Sequence, residues 1–166
     1  MIGVALGSNV GNRRKSLDEA VDFLQTIAPL AALSSYYVSQ PVECPPGSDY
    51  FYNAVAQLRY DGDLLELLDR LQQYEIAQGR ARQPGRLTCA PRPIDLDILY
   101  ADRTPVVTGR LILPHPRLTR RLFVLEPLAE IAPDLVVPGG ATLTVSELLA
   151  RCRRDFGKEQ VCLKIV

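Results

Sequence analysis

The chain has 166 residues, 19 basic and 19 acidic side chains and a formal net charge of zero, with 47% hydrophobic residues. That length suits one domain with an ordinary core, the balanced charge argues against a general nucleic-acid binder, and no run approaches the roughly eighteen apolar residues of a membrane span. The N-terminus, Met1-Ile2-Gly3-Val4-Ala5-Leu6, has no basic flank and is too short for a secretory signal. Four scattered cysteines (Cys44, Cys89, Cys152, Cys162) form no Cys-x-x-Cys pair and indicate neither zinc nor a disulfide framework. Free thiols fit a reducing cytoplasm, the expected location.

Taken in chain order, Ile2 to Leu6 predicts a short strand, closed by the turn-forming run Gly7-Ser8-Asn9-Val10-Gly11-Asn12. Asn12 or a neighbour caps a helix on which Leu17, Val21, Leu24 and Ile27 recur at helical spacing, and Pro29 ends it. Leu33 to Ser39 predicts a strand, a proline-rich loop follows from Gln40 to Asp49, and Phe51 to Tyr60 predicts another strand. Asp63-Leu64-Leu65-Glu66 matches a capping box for a helix that buries Leu64, Leu67, Leu68, Leu71 and Tyr74, with Gly79 as its stop. A loop from Arg80 to Arg92 then enters a strand from Ile94 to Tyr100. Leu122 to Ile131 reads as a helix, and Thr144-x-x-Glu147 caps one more. The order up to Tyr100 is β-α-β-β-α-β, so the expected fold is α+β: a ferredoxin-like antiparallel sheet with two helices on one face and additional C-terminal helices.

Asp95 and Asp97 alternate with Ile94, Leu96, Ile98 and Tyr100, so both carboxylates leave one face of the strand, roughly 6–7 Å apart at a rise of about 3.3 Å per residue. Taken alone, the pair is either a solvated strand face or the anchor of a hard divalent cation such as Mg²⁺. Its neighbours bear on the choice. Arg80, Arg82, Arg86 and Arg92 precede it without an intervening acid, and Arg110, Arg117, Arg120 and Arg121 follow, together with His115, the one histidine. In a neutral protein such arginine segments read either as solvated loops or as a focused anion site, since the guanidinium fork grips phosphate bidentately. A ferredoxin-like RNA-binding module is the competing class, but the chain lacks the basic-glycine-aromatic strand motif such modules use.

Leu6-Gly7-Ser8-Asn9, Phe51-Tyr52-Asn53-Ala54-Val55, Gly79-Arg80-x-Arg82, Pro91-Arg92-x-Ile94-Asp95-Leu96-Asp97-Ile98 and Leu113-Pro114-His115-Pro116 occur in this order, followed by Arg121-x-Phe123-Val124-Leu125-x-Pro127-Leu128. On these blocks the chain resembles the 6-hydroxymethyl-7,8-dihydropterin pyrophosphokinases of folate biosynthesis. The resemblance covers about residues 1–138 of a single 1–166 domain and leaves 139–166 as a tail, of which Arg151 to Val166 has no functional account. It implies transfer of pyrophosphate from ATP to the pterin hydroxymethyl group, with release of AMP and two Mg²⁺ ions held by Asp95 and Asp97. It implies catalytic roles for Arg80, Arg92 and Asp97. ATP-binding positions carried over are Gln72, Glu75, Arg80, Arg82, Arg92, Ile98, Arg110, Leu111, Ile112, His115 and Arg121; for Gln72 and Glu75 an exposed helix face is the alternative. Pterin-binding positions are Ser39, Gln40, Val42, Phe51, Asn53, Asp95 and Phe123, the two rings sandwiching the heterocycle and the amide reading its edge. The expected partners are therefore the two small-molecule substrates, with no nucleic acid and no membrane, and the expected state is a monomer. The chain departs from the family pattern in the segment between Arg82 and Arg92, about two residues longer, in Cys89 at a position usually held by tryptophan, and in Pro116 after the histidine.

Overall fold

The computed structural model describes all residues except 43, 45, 46, 80–90, 103, 104, 141 and 166. Strands β1 (Ile2–Ser8), β2 (Leu30–Leu33), β3 (Tyr37–Ser39), β4 (Phe51–Leu58), β5 (Asp95–Ala101) and β8 (Cys162–Lys164) form one six-stranded sheet. Its order is β5-β1-β4-β3-β8, with β2 also on β4, and every pairing is antiparallel. A two-stranded ribbon, β6 (Val106–Val107) with β7 (Ile112–Leu113), follows β5. The helices are α1 (Arg13–Ile27), α2 (Leu64–Ala77), α3 (Leu122–Ile131) and α4 (Val145–Phe156).

The helix starts follow from their caps. Asn12 accepts from the Lys15 N–H, Asp63 from the Leu65 and Glu66 N–H groups, and Thr144 and Glu147 close a full capping box. Helices α1 and α2 bury Leu17, Leu24, Leu67 and Leu71 against Val4, Leu6 and Leu96 on one sheet face. Helices α3 and α4 bury Val124, Leu125, Val145 and Leu148 against Val55, Leu99 and Tyr100 on the other. The expected ferredoxin-like core is thus present, and the C-terminal helices cover its second face.

Three local expectations are corrected. The strand expected over Leu33–Ser39 is broken into β2 and β3, because Ser34 turns in to β4: its N–H donates to the Val55 carbonyl and its hydroxyl accepts from the Val55 N–H. Tyr100 does not share the face of Leu96 and Ile98. The β1–β5 register slips between Gly3 and Val4, a bulge at Leu99 that turns Tyr100 over to the α3/α4 core. Cys152 and Cys162 are free, but Cys44 is disulfide-bonded, so free thiols do not hold throughout; spacing does not reveal which loops meet. The tail is part of the fold: α4 packs on α3 and β8 extends the sheet beside β3.

Candidate active site

Three neighbouring strands make the floor of one cavity. In the sheet register Gly7 stands between Asp95 on β5 and Asn53 on β4, and Ala5 stands between Asp97 and Val55. Residues two apart on a strand share a face. Both aspartates and Asn53 therefore rise from the α3/α4 face, with only a hydrogen atom and a methyl group between the strands that carry them. The opening has a volume of about 310 Å³. All seven residues expected at the pterin line it (Ser39, Gln40, Val42, Phe51, Asn53, Asp95 and Phe123), together with Arg92, Asp97, His115 and Arg121.

A second cavity of about 340 Å³ is lined by Gln72, Ile98, Arg110, Leu111 and Ile112, all among the residues expected to bind ATP. Asp97 and His115 line both cavities, so the two spaces meet at these side chains. Arg80 and Arg82, and Cys89 in the longer loop, lie outside the described residues. Glu75 lines neither cavity: it is only 1% exposed, and its Oε1 accepts the Leu96 N–H at 2.7 Å. Leu96 separates the two aspartates, and among the described residues β5 is a sheet edge, so an α2 carboxylate occupies a backbone donor that no described strand reaches.

The polar groups are held from behind. Asn9 is buried; its Oδ1 accepts the Arg92 N–H at 2.8 Å while its own N–H donates to the Arg92 carbonyl at 3.3 Å. That double bond between loops fixes the backbone from which the Arg92 guanidinium reaches Asp95 Oδ2 at 2.6 Å and lies 5.9 Å from the Phe51 ring centre. Arg121 stands likewise over Phe123, at 5.3 Å, so a cation backs each of the two aromatic rings. Asn53 Nδ2 donates to Ser39 Oγ at 2.9 Å. Burial, with the Arg121 and Arg117 charges adding to it, pushes the His115 imidazole down to about 4. Its Nδ1 accepts the Arg117 N–H at 3.1 Å, which leaves Nε2 to carry the proton of the neutral ring.

Among the described residues no three His, Cys, Asp or Glu side chains gather. Two carboxylates on one strand face beside a group of arginines nonetheless fit Mg²⁺, which keeps waters and takes further oxygen ligands from phosphates. A cation at Asp95 shares that carboxylate with Arg92.

A family model described as 7,8-dihydro-6-hydroxymethylpterin-pyrophosphokinase (HPPK) matches residues 3–133. The chain belongs to the HPPK family. It is accordingly an enzyme, a pyrophosphokinase. The 2-amino-4-hydroxy-6-hydroxymethyldihydropteridine pyrophosphokinase of Pseudomonas aeruginosa is 42% identical over 151 residues, 90% of each chain. The Bacillus subtilis protein of the same name is 41% identical over 134 residues, 80% of this chain and 78% of that one. Among solved structures, wild-type HPPK-DHPS of Plasmodium falciparum with pteroate superposes with a TM-score of 0.71 at 13% identity. The match covers 95% of this chain and 45% of that one, so this HPPK spans less than half of the larger protein.

Several cavity residues of this HPPK escaped the sequence reading. Arg117 and Cys44 line the first cavity, and Thr108, Gly109, Leu68 and Pro116 the second. Arg117 carried a signal, two residues after His115 in an acid-free arginine segment. Gly7, which its run of turn formers assigns to a loop, instead lies inside β1, where a glycine leaves the backbone bare. Leu68 and Pro116 carried none, since an apolar wall is indistinguishable in sequence from core.

Proposed function

We propose that this HPPK transfers the β,γ-pyrophosphoryl group of ATP to the hydroxymethyl oxygen of 6-hydroxymethyl-7,8-dihydropterin, releasing AMP, as a step of folate biosynthesis in the cytoplasm, where ATP is supplied. The observation that carries the reading is the pair Asp97 and His115, which line both cavities. A group passed from a nucleotide in one space to an acceptor in the other has to cross there.

The pterin takes the 310 Å³ cavity, between Phe51 and Phe123. Asn53 Nδ2 already donates to Ser39, so Asn53 Oδ1 accepts from an N–H on the pterin edge. The nucleoside takes the second cavity against Ile98, Leu111 and Ile112, with Gln72 and Arg110 at its polar edge. The pterin hydroxyl oxygen attacks the β-phosphorus, a bond from that oxygen to phosphorus forms, and the bond to the α-phosphate oxygen breaks. Two Mg²⁺ ions, held by Asp95 and Asp97 with the phosphates, would neutralise triphosphate charge and favour loss of the hydroxyl proton. Arg92 and Arg121 hold phosphate oxygens by charge-assisted hydrogen bonds, as do Arg80 and Arg82 on the strength of their sequence positions. His115, neutral at pH 7, donates from Nε2 without adding charge.

The test is AMP formation from ATP by the purified protein, with Mg²⁺ and pterin each omitted in turn. AMP appears only with both present, and Asp97→Ala lowers the rate at least roughly 10²-fold, the scale of losing one electrostatic contact to the transition state. Full activity in that variant, or AMP formed without pterin, removes the reading.

A further inference from the structure

The stretch Gln160–Lys164 lies beyond the catalytic blocks, yet it is bonded to both walls of the first cavity. On one side the Gln160 Oε1 accepts the Leu122 N–H at 2.9 Å and its Nε2 donates to the Arg120 carbonyl at 2.9 Å. This primary amide therefore grips the peptide groups on either side of Arg121, much as a neighbouring strand would. Helix α3 has no side-chain cap at Arg121, so Gln160 takes up one of the donors its first turn leaves unpaired. Phe123 follows one residue after the gripped Leu122.

On the other side the Val161 carbonyl accepts the Gln40 N–H at 3.1 Å, and Cys162 pairs with Ser39 in the β3–β8 register. Ser39 is the residue that accepts from Asn53. One short segment thus joins the Arg121–Phe123 wall to the Ser39–Gln40 wall, and Gln160, 8% exposed, is its side-chain contact with the first. A surface tail needs no such buried, doubly bonded amide.

We propose that Gln160 is a positioning residue for the pterin pocket, setting the separation of Phe123 from Ser39 through its two bonds to the backbone around Arg121. The proposal rests on the assignment of the first cavity to the pterin. These contacts lie away from the nucleoside-side residues Gln72, Ile98 and Leu111, and reach the nucleotide only through Arg121.

The experiment compares the full chain with Gln160→Met, of similar length but without the two hydrogen bonds. Pterin and Mg²⁺-ATP dissociation constants are each measured by calorimetry. Pterin affinity falls about tenfold and the pterin KM rises with it, while Mg²⁺-ATP affinity, which engages this wall through Arg121 alone, falls by clearly less. Equal loss of both affinities, or an unchanged pterin affinity, overturns the proposal. The wild-type protein supplies a second readout that needs no variant: in ¹⁵N spectra, pterin shifts the Gln160 side-chain amide and the Leu122 backbone amide. Absence of those shifts in pterin-saturated protein overturns the proposal. Failure of wild type to bind pterin at all is a separate result, and it overturns the assignment of the cavity instead.

Discussion

Gly3 and Gly7 lie on one strand, and their missing side chains serve different ends. A Cβ built at Gly3 would sit 2.3 Å from Cε1 of Tyr100, whose ring crosses over β1 so that its hydroxyl accepts from Gln57 Nε2 at 2.7 Å on the far strand. A Cβ at Gly7 meets Asn53 Oδ1 at 3.6 Å and the Asp95 and Phe51 side chains at 3.9 Å, all ordinary contact distances. Gly3→Ala therefore overpacks a buried ring that has no room to give and costs about 1–3 kcal/mol. Gly7→Ala leaves stability within about 0.5 kcal/mol and fills the floor between Asp95 and Asn53, so pterin binding weakens at least several-fold. Denaturant melts and pterin titrations on the two variants separate the effects. A Gly7→Ala protein with wild-type pterin affinity would show that the ligand does not reach this floor.

At the scale of elements, β5 displays what spacing reveals and what it hides. Alternation put both aspartates on one face, and the caps at Asn12, Asp63 and Thr144 located three helix starts, because these signals are local. The bulge at Leu99 and the break at Ser34 arise from contacts with strands distant in sequence, to which local periodicity is blind. Glu75 is the sharpest case. A glutamate on a helix reads as exposed or as a ligand contact, whereas here it serves the edge of β5 at Leu96. Glu75→Ala leaves that buried N–H without its acceptor, which costs about 1–3 kcal/mol, and frees the strand between Asp95 and Asp97. The Mg²⁺ concentration for half-maximal AMP formation should rise several-fold, and Glu75→Gln, which keeps an oxygen acceptor, should restore most of it. If Gln behaves like Ala in that titration, the negative charge matters rather than the acceptor. The tail was silent for the same physical reason: Gln160 and β8 act by docking on Leu122 and β3, and nothing in their own sequence names those partners.

For the molecule as a whole, two groups tie stability to pH in separate windows. His115 titrates at about 4 in the fold, against an ordinary value of 6.5. Between those values the unfolded chain binds a proton that the folded chain does not, so stability is full above 6.5 and is lost as pH falls towards 4. One proton sets a ceiling of about 1.4 kcal/mol per pH unit on that slope. Glu130 belongs to a lower window. Burial alone would raise its carboxyl, but hydrogen bonds from Ser35, Lys164 and Tyr37 outweigh burial and hold it below its ordinary range. Its contribution is therefore present above the ordinary glutamate range and lost as pH falls through its lowered value. Calorimetric melts from pH 7.5 to 3.5 should show the midpoint already falling below pH 6.5. His115→Asn keeps an acceptor for the Arg117 N–H without a group that titrates, so it should flatten the curve between 6.5 and 4 and leave the steeper loss at lower pH. Glu130→Gln should do the reverse. An unaltered slope between pH 6.5 and 4 in His115→Asn would mean that the imidazole takes up its proton in the folded protein near the ordinary value.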